Sequence, residues 1–468
     1  MGARRVTKRC TRAIAVAALT AFVAAGCGDD GDSGGGSAGG SSGDGDGTLE
    51  VPGEFDTIQD AVDAAAPGDL VLVSPGVYHE AVTVDTDEIV IRGLDRDETV
   101  LDGEFELENG VRVVGADGVA IENMTAQNYT FNGFFWTGVD GYRGSYLNAI
   151  RNGDYGLYAF ESVNGVLEHS YASGSPDAGV YIGACYPCNA VIDDVISEWN
   201  GLGYSGTNAG GELYIVNSVF RENRVGVVPN VGTYEPCFPQ REATIVGNQV
   251  YRNNNGQNDA IGSAQDALGN GILLAGALDN IVERNQVWDH DITGIGIVPL
   301  PESDPQEVVG DELTECEGEA IPDDVVDVAE VDLPETLLWP AQGNRVIGNV
   351  VSDSRLADLG LADLGLSPTP DAGNCFSDNT AATTAPVDLQ AKAPCDSPAA
   401  TDGWDVGPLD VGTLIARDKP PPVPYEEVEL PDPGDQPEMP DAATAPARPQ
   451  TDPPSMSDIG AIGIPPRV

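Results

Sequence analysis

Two aspartates, Asp154 and Asp177, each stand two residues before a glycine, and they are 23 residues apart. On neighbouring turns of a repeat their carboxyls would lie one strand spacing, roughly 5 Å, apart. That separation suits the two carboxyls of a retaining glycosidase, and it equally suits two ligands of a Ca2+ ion. Acids make up 76 of the 468 residues, so a stacked pair is also what an acidic surface produces without any function. Phe135, Tyr158 and Tyr181 follow three successive glycines by two residues each. Stacked in a column, they would form a platform for sugar rings, each ring contributing about 1 kcal/mol by analogy with aromatic pairs. An insertion or the chain's own tail lying over them would remove that use. Cys185-Tyr-Pro-Cys188 has the spacing of a redox pair or half a zinc site. There is no second such motif, and the three histidines, His79, His169 and His290, are dispersed, so a structural disulfide is the reading and no metal is assigned.

Charge narrows the ligands. The chain carries 22 Lys plus Arg against 76 Asp plus Glu, a formal charge of −54, and its only lysines are Lys8, Lys392 and Lys419. Nucleic acid needs clustered cations to neutralise its phosphates, so it is excluded as a partner. Acidic polysaccharides such as pectate or alginate meet the same obstacle unless a cation mediates. High Gly (58) and Pro (34) with 6% aromatics also exclude a helical bundle.

The elements that must position these side chains are repeats. Glycines before short apolar segments occur at Gly133, Gly156, Gly179, Gly203, Gly226, Gly271 and Gly294, with spacings of 23 or 24 and one of 45. A polar column, Asn123, Ser145, His169, Asp194, Asn217, Asn248, Asn285 and Asn349, accompanies them. Alternating segments such as Tyr214-Ile-Val lie between. One rung of about 23 residues cannot bury its own apolar side, whereas stacked rungs share a continuous core. The expected fold is all-β, a right-handed single-stranded parallel β-helix of about ten rungs. Ile58, Val62 and Ala65 share one face of a helix over 57–66, placed to cover the open end of the solenoid. In this geometry His169 falls in the polar turn column and bridges rungs.

The capping stretch and the G-[IV]-x-[IV]…N-x-[IV] rung resemble the pectin-lyase-like right-handed β-helix proteins, over roughly residues 50–375. The resemblance implies a fold and not a reaction. Gly76-Val-Tyr-His-Glu80 is similar to the G-x-Y-x-E block of pectin methylesterases, but their Q-D-T and D-F-I-F-G motifs are absent. Trp288-Asp-His290 only partly matches a pectate lyase block. The polygalacturonase motifs and the D-P-H-D block of mannuronan epimerases are missing. Two functions therefore stay open: a non-catalytic surface protein that binds or organises glycans, and a polysaccharide lyase, glycoside hydrolase or epimerase of the same fold.

The expected organisation begins with a signal peptide over 1–26, a cationic head and an apolar run ending in Ala24-Ala25-Gly26-Cys27. This resembles the bacterial lipobox, which makes Cys27 a lipidation site and membrane lipid a partner. A Gly/Ser/Asp tether over 27–48 would hold an extracytoplasmic monomer at the cell surface. The β-helix follows over 49–377, with insertions at 229–242, 254–268 and 298–343 beside the face that carries the aromatic column. Six further cysteines suggest the pairs Cys185–Cys188, Cys237–Cys316 and Cys375–Cys395. The stretch 378–468 holds 18 of the 34 prolines and has no period. It reads equally as a disordered tail or as an arm anchored by Trp404, Leu414, Ile415, Tyr425 and Val428. No cofactor is required, and calcium is the one candidate. If Asp154 and Asp177 or the acidic insertion bind it, the melting temperature rises with NaCl and further with millimolar Ca2+ at matched ionic strength. Coincident curves in Ca2+ and Mg2+ would leave only screening.

Overall fold

The computed structural model describes residues 47–303, 305, 336–362, 372–401, 404, 409–434, 436–456 and 458–468. Cys27 and Cys316 lie outside them, with the signal peptide and most of the tether. Among the described residues, twenty strands form one sheet and eleven another, and every pairing within these two sheets is parallel. A complete rung gives two short strands to the first sheet and one to the second. Ala190–Asp193 and Ile196–Glu198, for instance, pair with Gly210–Val216 and Val219–Arg221 one rung on. The chain is a right-handed parallel β-helix.

Alternation within each strand sends one set of side chains inward. Phe134 and Trp136, Leu157 and Ala159, Val180 and Ile182, and Ile295 and Ile297 all belong to one continuous core. The glycine column has a backbone cause. A Cβ at Gly133, Gly156 or Gly203 would lie 2.8, 2.6 or 2.5 Å from the carbonyl oxygen of the glycine in the next rung. No other residue fits where the chain turns this tightly onto the second sheet.

The expected polar column resolves into two adjacent ones. Asn123, Tyr146, His169, Asp194 and Asn217 have φ between 49° and 55°, the left-handed region, and Gly247 and Gly348 continue the set. Ser145 was the wrong neighbour: it is buried and donates to Glu168, while Tyr146 makes the turn. One residue further, Ser218, Asn248, Asn285, Asn349 and Asn379 form a buried ladder in which each side-chain oxygen accepts the previous rung's backbone N–H at 2.9 Å. Asn285 also takes the Asn248 amide at 3.0 Å and donates to Ile245 O and Asn349 Oδ1. Asn285→Ala strands several buried groups, each costing about 1–3 kcal/mol. It should destabilise the protein by roughly 3–5 kcal/mol in denaturant melts; a loss below about 1 kcal/mol would reject the ladder as a stability element.

Both ends are closed. Helix Ile58–Ala64 starts at Thr57, whose hydroxyl accepts the Asp60 N–H, and buries Ile58, Ala61 and Val62. The Glu80 carboxylate accepts the N–H groups of Ile58 and Gln59 at 3.1 Å, where a helix N-terminus favours an anion. At the other end the solenoid runs past the expected limit at 377, to strand Thr384–Ala385 and helix Leu389–Lys392. Gln390 from that helix takes the next ladder position, its Oε1 accepting Asn379 N–H at 2.9 Å. The disulfides Cys185–Cys188 and Cys375–Cys395 are formed, and Cys237 is disulfide-bonded.

The described part of the tail is an arm docked on the solenoid. Buried Arg92 donates to the main-chain oxygens of Ala442, Ala445 and Pro446, and Arg284 to those of Ile459 and Ile462. Tyr425 and Val428 are among its contacts, whereas Ile415 is exposed.

Candidate functional site

The outer face of the second sheet carries the aromatic column. Strands Asn132–Thr137, Tyr155–Phe160 and Ala178–Gly183 set Phe135 beside Tyr158 and Tyr158 beside Tyr181, followed by Ser205 and Val228. Phe135 and Tyr158 are stacked, with centroids 4.6 Å apart and planes 14° from parallel. Both are half-buried, and Tyr158 keeps only part of its surface in contact with solvent. Arg112, exposed and one rung earlier, brings its guanidinium 5.9 Å from the Phe135 ring centre.

Tyr181 does not join this platform. It is 1% exposed, meets Tyr158 edge-on at 4.9 Å, and donates its hydroxyl to Glu235 from insertion 229–242. The expectation of three open rings is therefore corrected to two. A different ring extends them: Tyr155 stacks on Tyr158 at 4.3 Å and 17°. The aromatic column in the sequence was drawn from the residues after the glycines. At the bend, the residue before each glycine also faces outward, as Ala178, Leu202 and Val225 show in the outer apolar cluster that Tyr155 touches. That column was a signal in the sequence. Glu235 and Tyr234 had none, being some fifty residues away in an irregular insertion.

Farther along the solenoid the same face is closed. Val228 and Leu273 lie under Ala260 and Ala264 of insertion 254–268 and under Leu409 and Val411 of the arm. Insertion 229–242 forms a fixed wall: Asn208 Nδ2 donates to the carbonyls of Gly232 and Glu235 at 2.7 Å, and Phe238 packs on Trp339. Trp339 belongs to an antiparallel hairpin, Leu300–Ser303 with Thr336–Trp339, and Glu302 in it accepts from Thr233 and from the Trp339 indole.

The carboxyls lie between these walls. Register places Asp154 and Asp177 on adjacent rungs, with the Asp177 N–H donating to Asp154 O at 3.2 Å and Tyr155 Oη donating to Asp177 Oδ2 at 3.1 Å. Burial pushes Asp154 up to about 7. Burial, with the Asp154 charge adding, pushes Asp177 up to about 8 against the Tyr155 hydrogen bond. Glu235 also rises to about 8, first through burial and then through Asp177 and Glu161, against the Tyr181 hydrogen bond. The tyrosine hydroxyls of the cleft are raised by burial and stay neutral. Near neutral pH the cleft thus presents Asp177 and Glu235 as carboxylic acids that both donate and accept hydrogen bonds, with Asp154 half titrated, beside half-buried aromatic rings.

The other sequence candidates do not converge here. His169 Nδ1 meets Asp194 Oδ2 of the next rung at 2.8 Å and its ring stacks on Tyr146. His290 is buried against Asn253, and burial holds it down at about 3. Among the described residues no group of three or more His, Cys, Asp or Glu could hold a metal ion. A Ca2+ ion at Asp154 and Asp177 would first have to displace protons that burial retains, which works against that expectation.

No family model and no curated protein matches the chain. Among solved structures it is similar to the A-module of the mannuronan C-5 epimerase AlgE4 of Azotobacter vinelandii, at 13% identity and a TM-score of 0.42, covering 72% of this chain and 92% of that one. An alginate lyase from Paenibacillus sp. str. FPU-7 is similar at 14% identity and 0.39, over 72% and 99%. Pectin methylesterase from Yersinia enterocolitica is similar at 11% and 0.31, over 70% and 90%. The chain's own strand register and glycine bends give it a right-handed parallel β-helix fold.

Proposed function

We propose that this is an extracytoplasmic lipoprotein, anchored through Cys27, that binds glycans on the Phe135–Tyr158 face. The observation that carries the reading is the stacked, half-open ring pair lying beside hydrogen-bonding carboxyls in a walled cleft. Sugars present apolar ring faces and a rim of hydroxyls, and this cleft offers aromatic faces and a donor–acceptor rim to match. With a chain charge of −54, the favoured ligand is a neutral polysaccharide rather than a polyanion. Calorimetric titration of the purified protein against neutral and acidic oligosaccharides tests this. Losing both rings in Phe135→Ala/Tyr158→Ala should weaken binding roughly 25-fold, at about 1 kcal/mol per ring. Equal affinity in the double variant would reject the face.

A second reading, a carbohydrate-active enzyme, is favoured by one specific observation: three carboxyls that burial raises to about 7 or 8 line the same cleft. Product release from any bound oligosaccharide, lost in Asp177→Asn with binding retained, would select it.

A further inference from the structure

The arm does more at one place than cover the solenoid. Segment 417–428 runs along the outside of insertion 254–268, the loop that borders the carboxyl pair. Val423 N–H donates to Gln257 O at 3.0 Å, and Tyr425 N–H to Asp259 Oδ2 at 2.9 Å. The Lys419 ammonium reaches Asp266 at 3.1 Å, Arg417 donates to Leu268 O, and Pro420 fills the space where a side chain at Gly256 would stand. The loop's inner side is what meets the carboxyls. Ile261 N–H donates to Pro176 O at 3.2 Å, and Gly262 lies against the Asp177 carboxylate, 3.5 Å from its Oδ2 to the position a Cβ would take. At the other carboxyl the arm meets the neighbouring backbone. The Tyr425 ring lies against Gly153, the residue before Asp154, and edge-on to Phe105 at 5.9 Å. Beneath the loop, buried Arg224 donates to the carbonyls of Gly256, Asn258 and Ala264. The loop is therefore clamped between a solenoid arginine below and the arm above.

We propose that segment 417–428 is a strap that completes the glycan cleft, holding insertion 254–268 against Asp177 and sealing Asp154 with Tyr425, so that undocking the arm regulates binding at this site. This rests on the glycan reading for its ligand but not for its geometry. The strap excludes water from the pair, and burial is the first cause that keeps both carboxyls protonated. With the strap lifted, the rim would change from neutral donors into two adjacent anions, a poorer partner for sugar hydroxyls that need acceptors and donors alike. The titratable groups that act on the pair are Tyr155 and Tyr158 from the sheet and Tyr234 and Glu235 from the first insertion, while Asp259 of the loop faces Tyr425 of the arm.

The test uses the full chain carrying Lys419→Ala/Tyr425→Ala, and a second variant, Pro420→Gly, which removes the contact with Gly256 and loosens the backbone of the strap there. Amides of 257–264 are expected to exchange about ten-fold faster in the double variant. Carboxyl-carbon titrations of Asp154 and Asp177 should move down toward the ordinary range near 4. Affinity for a neutral hexasaccharide, cellohexaose or whichever the intact protein binds, should fall about five-fold. Pro420→Gly should shift all three in the same direction by less, with the melting temperature of each variant confirming that the solenoid is folded. Exchange and titration identical to the unsubstituted chain would overturn the strap. So would faster exchange and shifted titration with unchanged glycan affinity, since the arm would then move without regulating the site. If the intact protein binds no glycan while exchange and titration shift as expected, the glycan reading fails and the strap geometry stands.

Discussion

Deleting residues 409–468 is expected to leave a folded solenoid that binds hydrophobic dye, self-associates and melts at least several degrees lower. The asparagine ladders, glycine bends and both end caps are built from residues outside the deletion, so the rungs retain their own hydrogen bonds. What the deletion uncovers is apolar. Leu70, Val90 and Ala120 lose Ala447, and Val191, Val216 and Val246 lose Met456, Ile459 and Ile462. Leu273 and its neighbours lose Leu409 and Val411. Contiguous exposed strips of this kind drive association. The docked arm itself is a balance of large terms. Ordering some sixty irregular residues costs on the order of 1–2 kcal/mol each, which hydrogen bonds from arginines and the buried strips must offset. Arg92 and Arg284 anchor the arm at two places, donating to three and two of its carbonyls respectively. Arg92→Ala/Arg284→Ala should therefore give a partial version of the same result, with dye binding at concentrations where the intact protein shows none. At roughly 2–4 °C per kcal/mol or less for a chain of this size, even a modest net contribution is measurable by calorimetry. A truncated chain with an unchanged melting temperature and no dye binding would reduce the arm to an ornament.

Much of the solenoid is legible because its constraints repeat. The glycine column is forced by close approach at each bend, to the next rung's backbone at most of them and to the Ser197 and Asn200 side chains at Gly179, and Asn285 and Asn349 recur because each must satisfy the rung before it. The polar column was blurred because Asn serves two neighbouring positions for different reasons: Asn217 for its left-handed backbone, Asn248 for its side-chain hydrogen bonds. Phe135, Tyr158 and the Asp154–Asp177 pair were legible as members of columns. Whether the rings are open was not, because Tyr181 is covered by Glu235, which belongs to no column. The arm followed the same rule. Without a period, no sequence pattern decides between docking and disorder, and several of its attachments are bonds from solenoid arginines to arm carbonyls, which leave no trace in the arm's own residue types.

Folding stability is expected to fall as pH rises from about 4.5 to about 8, and to level off above. Asp154, Asp177 and Glu235 hold their protons in the folded protein to about 7, 8 and 8, whereas the unfolded chain releases them near 4. Between these limits the native state binds more protons than the unfolded state, so raising the pH favours unfolding. Below the unfolded value all three are protonated in both states and the penalty vanishes. Each retained proton contributes a slope of at most about 1.4 kcal/mol per pH unit. The overall charge works in the same direction, because deprotonating the other carboxyls builds the self-repulsion of a chain whose formal charge reaches −54 at pH 7. The two are separable. Self-repulsion is long-ranged and weakens in 0.5 M salt, whereas burial acts locally and does not. Asp177→Asn and Glu235→Gln keep the shape and remove the titrating proton, so each should flatten the decline between pH 5 and 8 while barely changing its salt dependence. Each should also gain stability at pH 8 relative to the parent, since a buried amide carries no cost of ionisation. Denaturant midpoints measured across this range in low and high salt check the expectation. Parallel curves for parent and variants would show that the three carboxyls titrate normally, and the case for a protonated cleft would fall with them.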